Sequence, residues 1–310
     1  MSPSATQLRV GVVQFAPQIG RVAQNIDRAR EICLRLQPDS LDLLCLPEMI
    51  FSVPNQPREG YVFSDADAIT PYLEEPRTGP TSRFCAELAV RLRCYVMAGY
   101  PERLAPHEVQ KCTTPEGEAV HQVGANSAVV YGPDGQCIAG YRKTNLFSID
   151  KPWAKPGTGF LTLDLPSPLN RVTLAICNDL NPDGPWTLDG PYEVADHCIA
   201  TKTNLLVLLN AWLDSGADDD SDEDWETLHY WAMRLRPLYI KDEKHHPPNQ
   251  KADAAGGGRI ITVICNRCGE ENGKTFAGTS SVFDMRQDRG KPLLHSAMGR
   301  LQEDVQIWKV

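Results

Sequence analysis

The chain has 310 residues, 42% of them hydrophobic, and a formal net charge of −9 at pH 7, enough apolar material for one large α/β domain or two smaller ones. No apolar run approaches the ~20 residues of a membrane span, which excludes a membrane partner. No charged-then-apolar leader opens the sequence, so its ten cysteines read as reduced thiols of a cytoplasmic or nuclear protein rather than as a disulfide framework.

Leu8 to Gln14 reads as a buried strand and Val22 to Leu36 as a helix, with Ile26, Ala29, Ile32, Cys33 and Leu36 on one face. Leu41 to Leu46 is the next strand, and short β–α–β connections predict parallel neighbours. Pro47 ends that strand and leaves Glu48 at its carboxyl end. Residues 51–80 read as a long proline-rich loop, Thr81 to Arg93 as a helix and Tyr95 to Gly99 as a strand. Residues 101–124 are polar without a clear period. Ser127 to Tyr131 and Cys137 to Tyr141 flank Gly-Pro-Asp-Gly, a hairpin turn, and Lys143 stands just beyond. Arg171 to Ile176 is a strand that runs into Cys177. A helix from Tyr192 to Thr201, a strand from Leu205 to Leu209, a helix from Trp225 to Leu235 and a strand from Arg259 to Cys265 follow. Hairpin-like strands occupy Gly278 to the end.

Eight acids and no base lie between residues 214 and 226 and carry nearly all of the net charge. A near-neutral body with one acidic loop excludes nucleic acid as an expected partner. This loop (near 214–224) and the segment 241–258, with its His-His-Pro-Pro and Gly-Gly-Gly, read as flexible insertions. The sequence shows no internal repeat and no dividing linker, so residues 1–310 are expected to form one domain.

Glu48, Lys143 and Cys177 thus fall at the carboxyl ends of three strands, the edge where open α/β sheets bind ligands. A thiol attacks as thiolate and needs a base or a cation beside it. Glu48 can take its proton and return it to a leaving amine. Lys143 can stabilise the oxyanion of a tetrahedral intermediate, with the Asn178 backbone N–H as second donor. Singly, each has a blander reading: a surface corner, a solvated cation, a core cysteine. Cys265-Asn-Arg-Cys268 lacks a second pair of ligands at zinc spacing and reads as structural; no metal or cofactor is expected.

Together and in order these residues resemble the nitrilase superfamily of carbon–nitrogen hydrolases. Val10-Gly-Val-Val-Gln-Phe-Ala-Pro17 is similar to the family's opening strand, Leu46-Pro-Glu48 to its glutamate motif, Tyr141-Arg-Lys-Thr-Asn-Leu146 to its lysine motif and Ala175-Ile-Cys-Asn-Asp179 to its cysteine motif. Asn266 to Glu271 and Gly278 to Ser280 resemble a late signature. The resemblance implies an α/β fold, the four-layer α-β-β-α sandwich of the nitrilase type, and a Glu48, Lys143, Cys177 triad. Many members carry a second glutamate after the lysine; here only Asp150 stands nearby, and it either approximates that role or the role is absent. Members often dimerise, which leaves a homodimer open.

Within the superfamily, Asn178-Asp-Leu-Asn-Pro182 and Leu209-Asn-Ala-Trp-Leu213, followed by Tyr230 to Pro237, are similar to the fungal-type protein N-terminal asparagine/glutamine amidases. These deamidate N-terminal Asn or Gln to Asp or Glu through a cysteine thioester, in the N-degron pathway. That resemblance implies peptide or protein N-termini as substrates. Asp179 is then the expected partner of the substrate α-ammonium, against a capping role as the alternative. Trp212 and Trp153 are expected walls of the site, against plain core packing. A small-molecule amidase of the ω-amidase or carbamoylase type is the alternative function; a non-catalytic scaffold is a more distant one, which the intact triad opposes.

Overall fold

The computed structural model describes residues 7–18, 20–51, 63–113, 117, 119–217, 220–241, 258–271 and 273–310. The chain opens with strand β1 (Arg9–Gln14), helix α1 (Val22–Cys33) and strand β2 (Leu43–Leu46). A one-turn helix α2 (Ala66–Ile69) precedes helix α3 (Pro80–Leu92) and strand β3 (Tyr95–Arg103). Proline opens α3, where its missing N–H costs nothing, and Arg93 closes it in the left-handed region. Then come β4 (Gln110–Thr113), β5 (Ala119–Gln122), β6 (Gly124–Tyr131) and β7 (Cys137–Arg142).

The second half begins with β8 (Leu161–Asp164) and β9 (Arg171–Ile176), followed by α4 (Glu193–Ala200), β10 (Leu205–Asn210), α5 (Trp225–Arg234) and β11 (Arg259–Asn266). The small hairpin β12 (Glu270–Glu271) and β13 (Lys274–Thr275) leads to β14 (Ser281–Arg286), β15 (Leu293–Ala297) and β16 (Asp304–Lys309). No helix among the described residues is long and apolar enough to cross a membrane.

Two six-stranded mixed sheets result, in the orders β16-β1-β2-β3-β6-β7 and β15-β14-β11-β10-β9-β8. From the β16 end and the β8 end respectively, the pairings run antiparallel, parallel, parallel, antiparallel, antiparallel in both. One architecture is therefore used twice, although the sequence shows no repeat. The central strands are buried on both faces and read as continuous apolar runs. Val10, Val12, Leu43, Cys45 and Met97 face the other sheet and meet Leu174, Ile176, Val207 and Val263 there. Their alternates Val13, Leu44, Leu46 and Val96 face outward onto α1 and α3. On the second sheet Ala175, Leu206, Leu208 and Ile264 face α4 and α5. The expected four layers are present.

The structure departs from the sequence reading in several places. Strand β3 runs on to Arg103, because Glu102 pairs with Arg142 at 2.6 Å and accepts from Ser127 at 2.7 Å. This cross-strand polar cluster hides the apolar alternation on which the reading relied. β4 and β5 add a polar hairpin within 101–124, and β8 is a further edge strand. β16 does not continue the hairpin of β14 and β15; it returns to the first sheet and pairs with β1.

The described part of the acidic segment is anchored rather than loosely solvated. Asp224 is fully buried, caps α5, and accepts from Ser215 and Thr227 through both carboxylate oxygens. Asp214 pairs with Arg300, whose backbone N–H donates to the Asp222 carbonyl. Of the insertion expected at 241–258, residues 242–257 lie outside the described residues.

Candidate active site

Glu48, Lys143 and Cys177 converge although up to 129 positions separate them in the chain. Each is delivered by a strand end. After β2, Pro47 turns the backbone and Met49 takes a φ of 50°. This corner lies directly on β3: a Cβ at Gly99 would come within 2.5 Å of the Glu48 Cα and 2.9 Å of the Met49 nitrogen, so only glycine fits there. Lys143 follows β7, its N–H donating to the Asn126 carbonyl and its carbonyl accepting from Gly157, both at 2.8 Å. A Cβ on Gly157 would fall 2.2 Å from the Arg142 carbonyl oxygen. Cys177 directly follows β9 with a φ of 43° and starts a 3₁₀ turn through Leu180. Its N–H donates to Asn210 Oδ1 at 3.1 Å. A non-glycine residue in this region is a strained position.

The charges are buried and tightly paired. Lys143 Nζ donates to Glu48 Oε1 at 2.8 Å and to Asp150 Oδ2 at 2.7 Å. Asn126 Nδ2 bridges the same carboxylates, 2.7 Å from Glu48 Oε1 and 3.0 Å from Asp150 Oδ1. The Ala211 N–H donates to Glu48 Oε2 at 2.8 Å. Asp150 thus supplies the second carboxylate beside the lysine, which the sequence left open. Burial works against the Lys143 charge, but Asp150, Glu48 and Cys177 outweigh it and hold the ammonium well above its ordinary value. Burial and the Glu48 carboxylate push the Cys177 thiol well up, against the pull of Lys143 and the Ala211 N–H. At neutral pH the sulfur therefore keeps its proton until a base removes it.

These groups line a cavity of about 180 Å³, below the ~300–1,000 Å³ of drug-sized pockets. Its other walls are Phe147, Ile149, Asn178, Asn181, Ala211, Trp212, Leu213 and Lys274. Asn178 lies next to the sulfur, at the start of a 3₁₀ turn where backbone N–H groups point away from the helix.

Trp212 lines the cavity. Trp153 does not: it is 1% exposed, packs edge-on to Phe63, and donates from Nε1 to the Ile149 carbonyl at 3.1 Å. It buttresses the wall from behind.

Asp179 does not face the cavity either. The 3₁₀ turn carries its carboxylate back beneath the strand. There Oδ1 accepts from the Thr144 and Asn145 N–H groups at 3.0 and 2.8 Å, and Oδ2 from the Tyr141 hydroxyl and the Ile176 N–H, both at 2.7 Å. Every acceptor position is used in tying the lysine loop to the cysteine turn, so no room remains for a substrate ammonium. Burial lifts this carboxyl to about 6 in spite of its donors.

The sequence reading missed Asn126, Asn181, Ala211 and Lys274. Asn126 stands just before the strand read at Ser127 to Tyr131, and β6, starting at Gly124, takes it in. The backbone N–H of Ala211 had no signal in the sequence.

Residues 9–187, more than half of the chain, match the Carbon-nitrogen hydrolase family. The chain is 28% identical over 320 residues to the Protein N-terminal amidase of Schizosaccharomyces pombe, covering 97% of this chain and 98% of that one. It is also 28% identical over 243 residues to the Protein N-terminal amidase of Saccharomyces cerevisiae, which is 72% of this chain and 48% of the relative. A solved N-terminal amidase with an Asn-Glu-Ala peptide shares the fold, with a TM-score of 0.74, 19% identity and 98% and 97% of the two chains covered. With the family matched across the strands that deliver all three residues, the chain belongs to the carbon–nitrogen hydrolase family and is a hydrolase of amide carbon–nitrogen bonds.

Proposed function

We propose that this protein deamidates N-terminal asparagine or glutamine of peptides and proteins, with Cys177 as nucleophile, Glu48 as general base and acid, and Lys143 as oxyanion donor. One observation carries the reading. A thiol, a carboxylate and an ammonium meet in a cavity sized for a short side-chain amide, in a chain similar end to end to a protein N-terminal amidase.

In the proposed reaction, Glu48 takes the Cys177 proton as the sulfur attacks the side-chain amide carbon. The oxyanion is held by Lys143 Nζ and the Asn178 N–H. As the intermediate collapses, Glu48 returns the proton to the departing nitrogen, and ammonia leaves a thioester. Water then attacks the thioester carbon, giving its proton to Glu48. The second collapse breaks the carbon–sulfur bond, returns that proton to the thiolate, and releases Asp or Glu. The net change is one amide and one water converted to one carboxylate and ammonium. Asp150 and Asn126 hold Glu48 and Lys143 in register throughout.

Mass spectrometry of Asn-, Gln- and Asp-initiated peptides tests this. The first two gain the mass of one deamidation and the third is unchanged. If N-acetylated Asn peptides and free aliphatic amides react as fast as the free-amine peptides, a small-molecule amidase replaces this reading.

A further inference from the structure

We infer that the substrate α-ammonium is held without a carboxylate, by the side-chain oxygen of Asn181 against the Trp212 wall. This rests on the N-terminal reading above and names its specificity subsite. Among the described residues that line the cavity, the sole carboxylate is Glu48. Its Oε1 already accepts from Lys143 and Asn126, and its Oε2 from the Ala211 N–H. Asp179 lies behind the wall with four donors on it. Among the described residues, what remains to meet an ammonium in this cavity is therefore neutral acceptors.

Among the described residues the wall holds two neutral side-chain amides, Asn178 and Asn181, and the hydrogen bonds orient both. Asn178 Nδ2 donates to the Asn145 and Leu146 carbonyls at 3.2 and 3.3 Å, which turns its Oδ1 toward Asn181. Asn181 Nδ2 donates to that oxygen at 3.2 Å. The Tyr230 hydroxyl donates to Asn181 Oδ1 at 2.8 Å. Because the two carbonyls fix Asn178, the Asn181 atom facing Asn178 Oδ1 is the amide nitrogen, so the atom facing Tyr230 is the amide oxygen, which has two acceptor positions. Tyr230 takes one; the other is the position we assign to the substrate N–H. Asn181 is 8% exposed, so the bond forms largely out of water, where it is stronger.

The surroundings suit a cation. Trp212 lines the cavity, and its ring is braced by Tyr230 at 5.4 Å and by Trp231 edge-on at 6.1 Å. Tryptophan is the strongest cation–π partner among the side chains. Lys274, also on the cavity, carries the same charge as the ammonium, and the Asn181 and Trp212 contacts have to outweigh that repulsion. Bond counting agrees: the α-nitrogen is three bonds from the amide carbon in Asn and four in Gln. With that carbon on the Cys177 sulfur, the ammonium stays within a few bond lengths of it, among the residues that line the cavity.

The experiment compares kcat/KM for an Asn-initiated peptide with that for the same peptide lacking the α-amine, a 3-carbamoylpropanoyl peptide. The wild-type ratio is expected to be about tenfold or more, the factor of one charge-assisted hydrogen bond. Asn181→Leu should bring the ratio toward one, Asn181→Asp should raise it, and Tyr230→Phe, which frees the Asn181 amide to turn over, should lower it part of the way. Cys177 alkylation and the melting temperature verify that each variant is folded. A folded Asn181→Leu protein with the wild-type ratio overturns the inference. If Asn181→Leu does not fold, an unchanged ratio in both Asn181→Asp and Tyr230→Phe overturns it. A wild-type enzyme that makes no distinction between the two peptides defeats the N-terminal reading itself, a result separate from the behaviour of the variants.

Discussion

Strands β9 and β11 each have a buried cysteine at or next to their carboxyl end and a buried cation close by, and the two corners have little else in common. At the β9 corner the Cys177 backbone is strained, Glu48 and Lys143 stand beside the sulfur, and a cavity opens in front of it. At the β11 corner Cys265 Sγ donates to the Val13 carbonyl at 3.4 Å inside the core between the sheets. Arg267 there is shut between Glu271 and the face of Phe276, its guanidinium 4.2 Å from the ring centre. Burial pushes both thiols well up. In the proposed reaction the difference lies in the neighbours: at Cys177 a base to take the proton, a cation to receive the negative charge, and space for an acyl group, all of which Cys265 lacks among the described residues. The cations differ in the same way. Lys143 is shared by two carboxylates and turned to a cavity, whereas Arg267 is spent on one carboxylate and a ring.

The comparison breaks most decisively at the sulfurs. Cys177→Ala should reduce turnover of an Asn-initiated peptide below a few per cent of wild type, and Cys265→Ala should stay within a few-fold. Initial rates with a melting temperature for each protein decide it; a folded, active Cys177→Ala variant removes the contrast. Glu48→Gln should lower kcat by roughly 10²–10⁴-fold, the usual worth of a general acid–base. The same change should move the pH profile of Cys177 alkylation downward, since the Glu48 carboxylate pushes that thiol up. A profile shifted upward would deny the contact between the two groups.

Arg267→Met sharpens the comparison from the other side. Leaving Glu271 buried without its cation should cost stability by about 3–5 kcal/mol. The folded fraction should keep kcat within a few-fold, as read from active-site titration and denaturant melts; a collapse of kcat would make the β11 corner part of the chemistry. The smallest expected effect on catalysis is at Asp179. Asparagine has one acceptor oxygen for four donors, so Asp179→Asn should cost about 1–3 kcal/mol for each backbone N–H orphaned, with the free-amine to acetylated rate ratio unchanged. The wild-type carboxyl, at about 6 against an ordinary 3.8, binds more protons folded than unfolded between those values. Its contribution to stability therefore falls as pH rises through that window. Melting temperatures of the variant should lack that slope.

What the sequence by itself determined were the features that local chemistry writes into the chain. The two-sided apolar runs of β1, β2, β9, β10 and β11 announce buried central strands, and Pro47, Lys143 and Cys177 mark where three of the fold's strands stop. Those stops, in order, carried the family resemblance and with it the four layers. Contacts between distant segments were decided by the tertiary structure alone. The crossing of β16 to β1 depends on hydrogen bonds between the two ends of the chain, which no local pattern records. Asn126, 78 positions from Glu48 and 24 from Asp150, becomes their bridge only when β6 lies beside β3. Asp179 is the sharpest case. Two residues from the sulfur, it looked like a pocket residue, yet the 3₁₀ turn rotates successive side chains by about a third of a circle and sends its carboxylate to the loop behind. Asn181, four residues from the same sulfur, is the side chain that the turn and Tyr230 bring back to the cavity.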